Sequence, residues 1–192
     1  MRKTLFLAAF ILSSMMVFAT NPITPVKSTV DTEKSSIAWV GKKVLGQHNG
    51  TVNIKSGELE YAEGRLSGGT FEIDMATIAC LDLDGGMRGK LEGHLKSPDF
   101  FDVANFPTAS FTITNVTAGE NGAYNITGDL TIKGITNSLS FSATSEDGSF
   151  NADIKVDRTL YNVRYGSGKF FDNLGDKTIN DDFELAVSLV TK

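Results

Sequence analysis

The side chains with the chemistry to bind a metal or attack a substrate are scarce in this sequence. The histidines are His48 and His94, and the one cysteine is Cys80. Brought together in space with Asp82 or Asp84, the two imidazoles would supply the donor atoms of a metal site. Neither belongs to a ligand spacing such as His-Glu-x-x-His, and the simpler reading makes each a hydrogen-bonding residue beside a turn or helix. Asp82-Leu83-Asp84-Gly85-Gly86 resembles the start of a calcium loop, but the later ligands and the terminal glutamate are missing. It reads as a solvated loop. Cys80 has no histidine near it in sequence, so a thiol nucleophile lacks a visible base. There is no Gly-x-Ser-x-Gly elbow. A lone thiol cannot close an intrachain disulfide and reads first as a small buried apolar residue, with an intermolecular disulfide or a reactive thiol as alternatives. Asp157-Arg158, at the end of an expected strand, is a pair suited to orienting a loop. No catalytic residue, metal ligand or cofactor is assigned.

The elements that would position these groups are strands. After residue 20 no long stretch has helical spacing, whereas apolar residues recur at every second position between turn signals. Ile37 and Trp39 share a face, as do Val52 and Ile54, a run that ends at Ser56-Gly57. Leu59 and Tyr61 precede a turn at Ala62-Glu63-Gly64-Arg65. Phe71, Ile73 and Met75 alternate with polar residues, and Phe111 and Ile113 do the same. Asn121-Gly122 is a strong hairpin signal. Tyr124, Ile126, Leu130 and Ile132 fall on one face, Lys133-Gly134 through Asn137 turns the chain, and Leu139 and Phe141 follow. Glu146-Asp147-Gly148 leads to Phe150, Ala152, Ile154 and Val156. Phe183, Leu185, Val187 and Leu189 close the sequence. One apolar and one polar face per strand is the mark of antiparallel sheet wetted on one side. Eight or so such strands make a sandwich or a closed barrel. Alternation does not separate the two, although glycines in or beside strands lean towards the barrel.

Two stretches break the alternation. Residues 76–107 are long for a structureless loop and are expected to hold short helices. Ser97-Pro98-Asp99 reads as a helix start, with serine as the N-cap and proline at the first position, and Lys90 to Lys96 as a turn or two before it. This segment carries Leu91, Leu95, Phe100, Phe101 and Phe106, three of the 13 phenylalanines. It serves as a lid, a plug or an ordinary connection. The second stretch runs from Arg158 to Asn180.

Residues 1–19 carry Arg2 and Lys3, an apolar run from Leu5 to Leu12 that resumes at Met15, and the small-residue site ending at Ala19. This is the pattern of a cleaved secretory signal. The run is shorter than the roughly 20 residues of a spanning helix. The expected organisation is therefore a signal peptide over 1–19, an extended segment over 20–27 and one domain over 28–192, periplasmic or secreted. Loss of Arg2 and Lys3 takes the formal charge from −5 to −7. With no basic cluster, the chain is a poor partner for nucleic acid and for steady adhesion to anionic membranes.

Several segments resemble the YceI-like family. They are Trp39-Val40-Gly41 with His48-Asn49-Gly50-Thr51, Phe71-Glu72-Ile73-Asp74-Met75, and His94-Leu95-Lys96-Ser97-Pro98-Asp99-Phe100-Phe101-Asp102-Val103. Phe106 to Phe111, Gly128 to Thr136, Val156-Asp157-Arg158 and Tyr165-Gly166 continue the match over about residues 28–190. The resemblance implies an all-β, eight-stranded antiparallel lipocalin-like barrel with short helices in the 76–107 connection. It implies a non-catalytic role in binding, carrying or sequestering a polyisoprenoid, isoprenoid quinone or fatty amide. Homodimers come with it, and no catalytic residues do; transient membrane contact is a separate expectation for the chain.

The ligand-lining residues expected on that basis are Trp39, Phe71, Ile73, Met75, Leu91, Phe101, Phe106, Phe111, Ile132 and Phe141. His48, His94 and Arg158 are the head-group candidates. Burial of a methylene is worth about 0.8 kcal/mol, so one isoprene unit contributes at most about 4 kcal/mol. Two other classes of function stand beside this one: a metal-binding stress protein or enzyme built on His48 and His94, and an interaction module whose barrel is filled.

Overall fold

The structure, a computed structural model, describes residues 24–192. The expected signal segment over 1–19 and the first part of the extended segment lie outside the described residues. Nine strands follow in order: β1 (Val26–Thr29), β2 (Ser36–Lys43), β3 (Gln47–Ala62), β4 (Arg65–Cys80), β5 (Thr108–Ala118), β6 (Ala123–Ile132), β7 (Ile135–Glu146), β8 (Ser149–Asp157) and β9 (Ile179–Val190). Each of β2 to β9 pairs antiparallel with its neighbours in the order 3-2-9-8-7-6-5-4, and the β3–β4 ladder closes the ring. The result is an eight-stranded antiparallel barrel. β3 is long enough to serve two partners on one edge. Its first half pairs with β2 (Lys42 with Gln47), and its second half takes β1 (Val26 with Tyr61).

Alternation translates directly into inside and outside. On β6, Ile126, Leu130 and Ile132 are buried while Asn125 and Asp129 are exposed. Three hairpins, β3–β4, β6–β7 and β7–β8, close with two-residue loops at Glu63-Gly64, Lys133-Gly134 and Asp147-Gly148. Both residues of each loop have positive φ, the twist that matches right-handed strands. Asn121-Gly122 has the same conformation within the β5–β6 loop.

Three expectations need correction. The run expected to end at Ser56-Gly57 continues through it, and β3 bends there with a register shift between Ile54 and Ser56. Gly57 is required by packing, since a Cβ would lie 2.8 Å from the Phe71 ring and 3.0 Å from Val30. β4 also runs on past Met75 to Cys80. The alternation fails there because β4 bulges between Asp74 and Ala79, where the Thr77 hydroxyl replaces a ladder acceptor and takes the Asn53 N–H at 2.8 Å. Finally, Ser97 does not start a helix. It ends α1 (Gly85–Lys96), with both its N–H and its hydroxyl donating to the His94 carbonyl at 3.1 and 2.8 Å. Residues 98–101 form only turns.

The connections divide between the two ends of the barrel. One end has the short turns. The other, the connection end, has the Val44–Gly46 hairpin, residues 81–107 with α1, the Lys133-Gly134 turn, and residues 158–178 with a 3-10 turn at Arg158–Tyr161. The wall is incomplete at one place. β7 and β8 pair only from Glu146–Ser149 to Ala143–Ala152. Towards the connection end the two strands have no ladder between them, although β7 stays on β6 as far as Ile135 and β8 on β9 as far as Asp157. This slit ends where Asn137 Nδ2 donates to the Leu160 carbonyl at 3.0 Å.

Candidate ligand cavity

The barrel interior is a single cavity of about 230 Å³. Its wall draws on every strand of the ring. Trp39 comes from β2, Phe71, Ile73 and Met75 from β4, Phe111 from β5, Ile132 from β6 and Phe141 from β7. All seven were expected from the sequence, and Phe101 from the long connection joins them. Phe111 is central, 6.4 Å from Phe71 and 5.6 Å from Phe141 between ring centroids. Two glycines make room for these rings. A Cβ at Gly128 would collide with the Phe111 ring and the Thr112 carbonyl. At Gly50 it would strike the Ala79 carbonyl and come within 2.6 Å of Trp39, whose indole N–H donates to the Thr51 carbonyl at 3.2 Å.

Two of the expected lining residues sit elsewhere. Leu91 lies on α1 and Phe106 beside Gly134, where the ring would be 3.0 Å from a Cβ; neither is part of the cavity wall. Other lining residues went unread. Leu95 and Phe100 close the connection end, and Phe183, Leu185, Val187 and Leu189 of β9 line one side. The β9 row was visible as alternation. The inward turn of Leu95 and Phe100 depends on how α1 docks, which spacing alone does not reveal.

The connection end is sealed by aromatic edges. Phe100 meets Phe101 at 6.0 Å, His94 at 5.1 Å and Tyr165 at 5.9 Å, and Phe101 meets Phe183 at 6.4 Å. The helix that carries part of this seal is weak in itself. Four of its twelve residues are glycine, none of its side chains is fully buried, and Asp84 makes no side-chain cap. Each glycine costs a helix roughly 1 kcal/mol against alanine.

The three head-group candidates occupy different places. Arg158 lines the cavity and is only 3 % exposed. Its guanidinium donates to the carbonyls of Asn180, Val163, Tyr165 and Ile179, which leaves it tied to the loop. Burial lowers its pKa, and Asp181 and Asp157 oppose that shift. His94 packs its ring against Tyr165 at 4.4 Å and lies 3.9 Å from Asp99. His48 is outside the cavity, with Nδ1 2.8 Å from Asp82 Oδ2. The two histidines do not share a metal-ligating group among the described residues. His48 instead meets Cys80 and Asp82.

Comparison with known proteins gives the geometry a context. A family model described as the YceI-like domain matches residues 29–191. A UPF0312 protein of Vibrio vulnificus is 31 % identical over 147 residues, which is 74 % of each chain. One from Vibrio cholerae is 28 % identical over 143 residues, again 74 % of each. Among solved structures, Burkholderia cenocepacia BcnA aligns with a TM-score of 0.66 at 24 % identity, covering 83 % of this chain and 98 % of that one. A polyisoprenoid-binding domain from Saccharophagus degradans aligns at 0.57 and 11 % identity, covering 84 % and 95 %. The Campylobacter jejuni YCEI protein aligns at 0.52 and 16 %, covering 97 % and 99 %. At these identities the structural likeness concerns the fold.

Proposed function

The chain belongs to the YceI-like family, and we propose that it is a binding protein, not an enzyme, which holds a chain-like apolar lipid in the barrel and carries or sequesters it outside the cytoplasm. The observation that carries this reading is the apolar cavity, walled almost wholly by carbon. The Saccharophagus degradans domain, described as polyisoprenoid-binding, has the same fold. A polyisoprenoid, an isoprenoid quinone or a fatty amide suits such an interior, which offers shape and a largely apolar surface.

The volume limits how much of the ligand is held. An engineered cavity of about 150 Å³ accepts benzene, so about 230 Å³ takes on the order of ten carbons by the same yardstick. That is about two isoprene units, at about 4 kcal/mol each before the cost of ordering the tail. A longer chain is accommodated by passing its remainder through the β7–β8 slit or past the lid.

The connection end is the side proposed to meet the membrane transiently. Val44, Leu45, Leu81, Met87, Leu160, Tyr165, Phe170 and Phe171 are exposed large apolar residues there. Charge is divided in the same direction. Residues 44–46, 81–107, 133–134 and 158–178 hold eight Lys and Arg against seven Asp and Glu, while the rest of residues 24–192 holds eight against 16. A near-neutral, partly apolar end on an acidic body is the part of the molecule that an anionic lipid surface repels least. Adhesion by such an end is weaker than by a basic cluster, as a carrier that must also leave requires.

Mass spectrometry of an organic extract from protein purified from its native compartment tests the proposal. The expected result is a co-purifying isoprenoid or long-chain lipid. Absence of any lipid, together with no uptake of isoprenoid alcohols by the purified protein, overturns it.

A further inference from the structure

Away from the cavity, one group of side chains gathers three kinds of metal-ligating atom. His48 lies at the start of β3, Cys80 ends β4, and Asp82 is two residues on. The Gly50–Cys80 pairing brings the two strand ends side by side, which joins residues more than thirty positions apart in sequence. A His48 ring nitrogen, Cys80 Sγ and an Asp82 oxygen lie within 4.8 Å of one another. Asp82 sits between the others. Its Oδ2 is 2.8 Å from His48 Nδ1, and its Oδ1 accepts from the Cys80 thiol at 3.3 Å and the Asn49 N–H at 2.9 Å. From the other side α1 supplies Glu92, whose Oε1 accepts the Cys80 N–H at 2.9 Å. The imidazole and the carboxylate are part exposed, so an ion has a path from solvent, while the thiol closes the inner side.

We propose that His48, Cys80 and Asp82 bind one zinc-class divalent cation, with water or Glu92 in the fourth position. Zinc bonds of about 2.0–2.3 Å in a tetrahedron set neighbouring ligand atoms roughly 3.3–3.8 Å apart. The 2.8 Å His48–Asp82 and 3.3 Å Cys80–Asp82 separations lie within roughly 0.5 Å of this, and the 4.8 Å bound on the group leaves about 1 Å at most to close. Imidazole and thiolate together favour zinc over magnesium or calcium. On binding, the Cys80 S–H bond breaks and the proton leaves to solvent, the sulfur pair goes to the metal, Asp82 binds as the carboxylate, and neutral His48 gives a ring nitrogen pair. A second proton is released from any His48 that is charged beforehand. The cation would fasten the start of β3 to the root of the connection that carries α1, and so tie the lid to the wall.

A hydrogen-bonded trio with a purely structural role is the competing account. Metal-stripped full-length protein titrated with Zn²⁺ in a calorimeter separates the two. One equivalent is expected to bind, weakened at least 100-fold by His48→Ala and by Asp82→Ala, and unchanged by His94→Ala. Co²⁺ as a spectroscopic probe is expected to give a near-ultraviolet thiolate charge-transfer band that Cys80→Ser abolishes. Stoichiometry and the cobalt band are read on the unaltered protein, so a variant that folds poorly does not decide the outcome. Less than a tenth of an equivalent bound, equal affinity in a folded His48→Ala variant, or a cobalt complex without a thiolate band each overturn the proposal.

Discussion

The Arg158 guanidinium lies 5.7 Å from the centroid of the Phe100 ring, so that a buried cation from the β8–β9 connection braces an aromatic that closes the connection end of the cavity. Asp181 Oδ1, 3.9 Å from Arg158 Nη2, is the one buried side-chain oxygen without a hydrogen-bond partner among the described residues. Arg158 is therefore held in place by the loop it braces. Arg158→Ala leaves four carbonyls without their donor and this carboxylate without its neighbouring guanidinium, and is expected to cost about 3–5 kcal/mol. Arg158→Lys keeps the charge but not the fork of donors and is expected to cost roughly 1.5–3 kcal/mol. Urea denaturation midpoints check both; an Arg158→Lys variant as stable as the parent would contradict this account.

Filling the cavity should remove uptake without removing the fold. Ala152 lines the interior and is only half-buried. Ala152→Phe is expected to lower affinity for an isoprenoid alcohol at least tenfold and to cost about 1–3 kcal/mol from overpacking. Fluorescent-probe displacement reads the first and thermal denaturation the second. Unchanged affinity would place the ligand elsewhere.

The glycines of α1 give a handle on the lid. Gly89 and Gly93 have helical backbone and open space where a Cβ would lie. Gly89→Ala with Gly93→Ala is expected to stabilise the helix by about 1 kcal/mol per site. Ligand release, followed by stopped-flow exchange, should slow if opening of this segment limits escape. A stabilised helix with an unchanged release rate would assign escape to the β7–β8 slit instead.

How much of this was legible in the sequence depended on period. Strands such as β6, with Ile126, Leu130 and Ile132 inside, were readable because each residue obeys the same two-residue repeat. The turns were readable because Lys133-Gly134 and Asp147-Gly148 need positive φ. Where the backbone departs from the repeat, legibility fails. The bulge after Asp74 hid the end of β4, and Gly57 looked like a stop because its packing partner, Phe71, is fourteen residues away. The His48–Cys80–Asp82 group was hidden for the same reason: register across the β3–β4 ladder, not spacing along the chain, brings it together.

Asp157 links loop stability to pH. Burial alone would raise its pKa, but bonds from Lys169 Nζ at 2.8 Å and from the Thr159 hydroxyl and N–H hold it below the ordinary carboxylate value. A carboxyl lowered in the folded state stabilises the fold above its unfolded pKa of about 3.9 and loses that contribution as pH falls through the folded value. Asp157→Asn is expected to be less stable than the parent at neutral pH, with the gap closing below about pH 4. Denaturation midpoints across that range test it, and a gap that is constant with pH would exclude the carboxylate as its source.

Phe170 and Phe171 are half-exposed at the connection end, with Arg164 stacked 4.7 Å from the Phe170 ring centroid. Phe170→Ser with Phe171→Ser is expected to reduce co-flotation with anionic vesicles severalfold, and salt should reduce it in the parent as charges are screened. Equal flotation on neutral and anionic vesicles would remove the electrostatic part of the docking proposal.

The short β7–β8 ladder has a consequence for selectivity. A sealed barrel measures its cargo by length, because whatever exceeds the chamber is refused. A barrel with an unstitched flank measures girth instead. For the proposed cargo, a chain that leaves by this flank would be selected at the unpaired stretch between β7 and β8, so narrow, unbranched or regularly methylated chains of very different lengths would be equivalent to it, while a rigid polycyclic of smaller volume would be turned away.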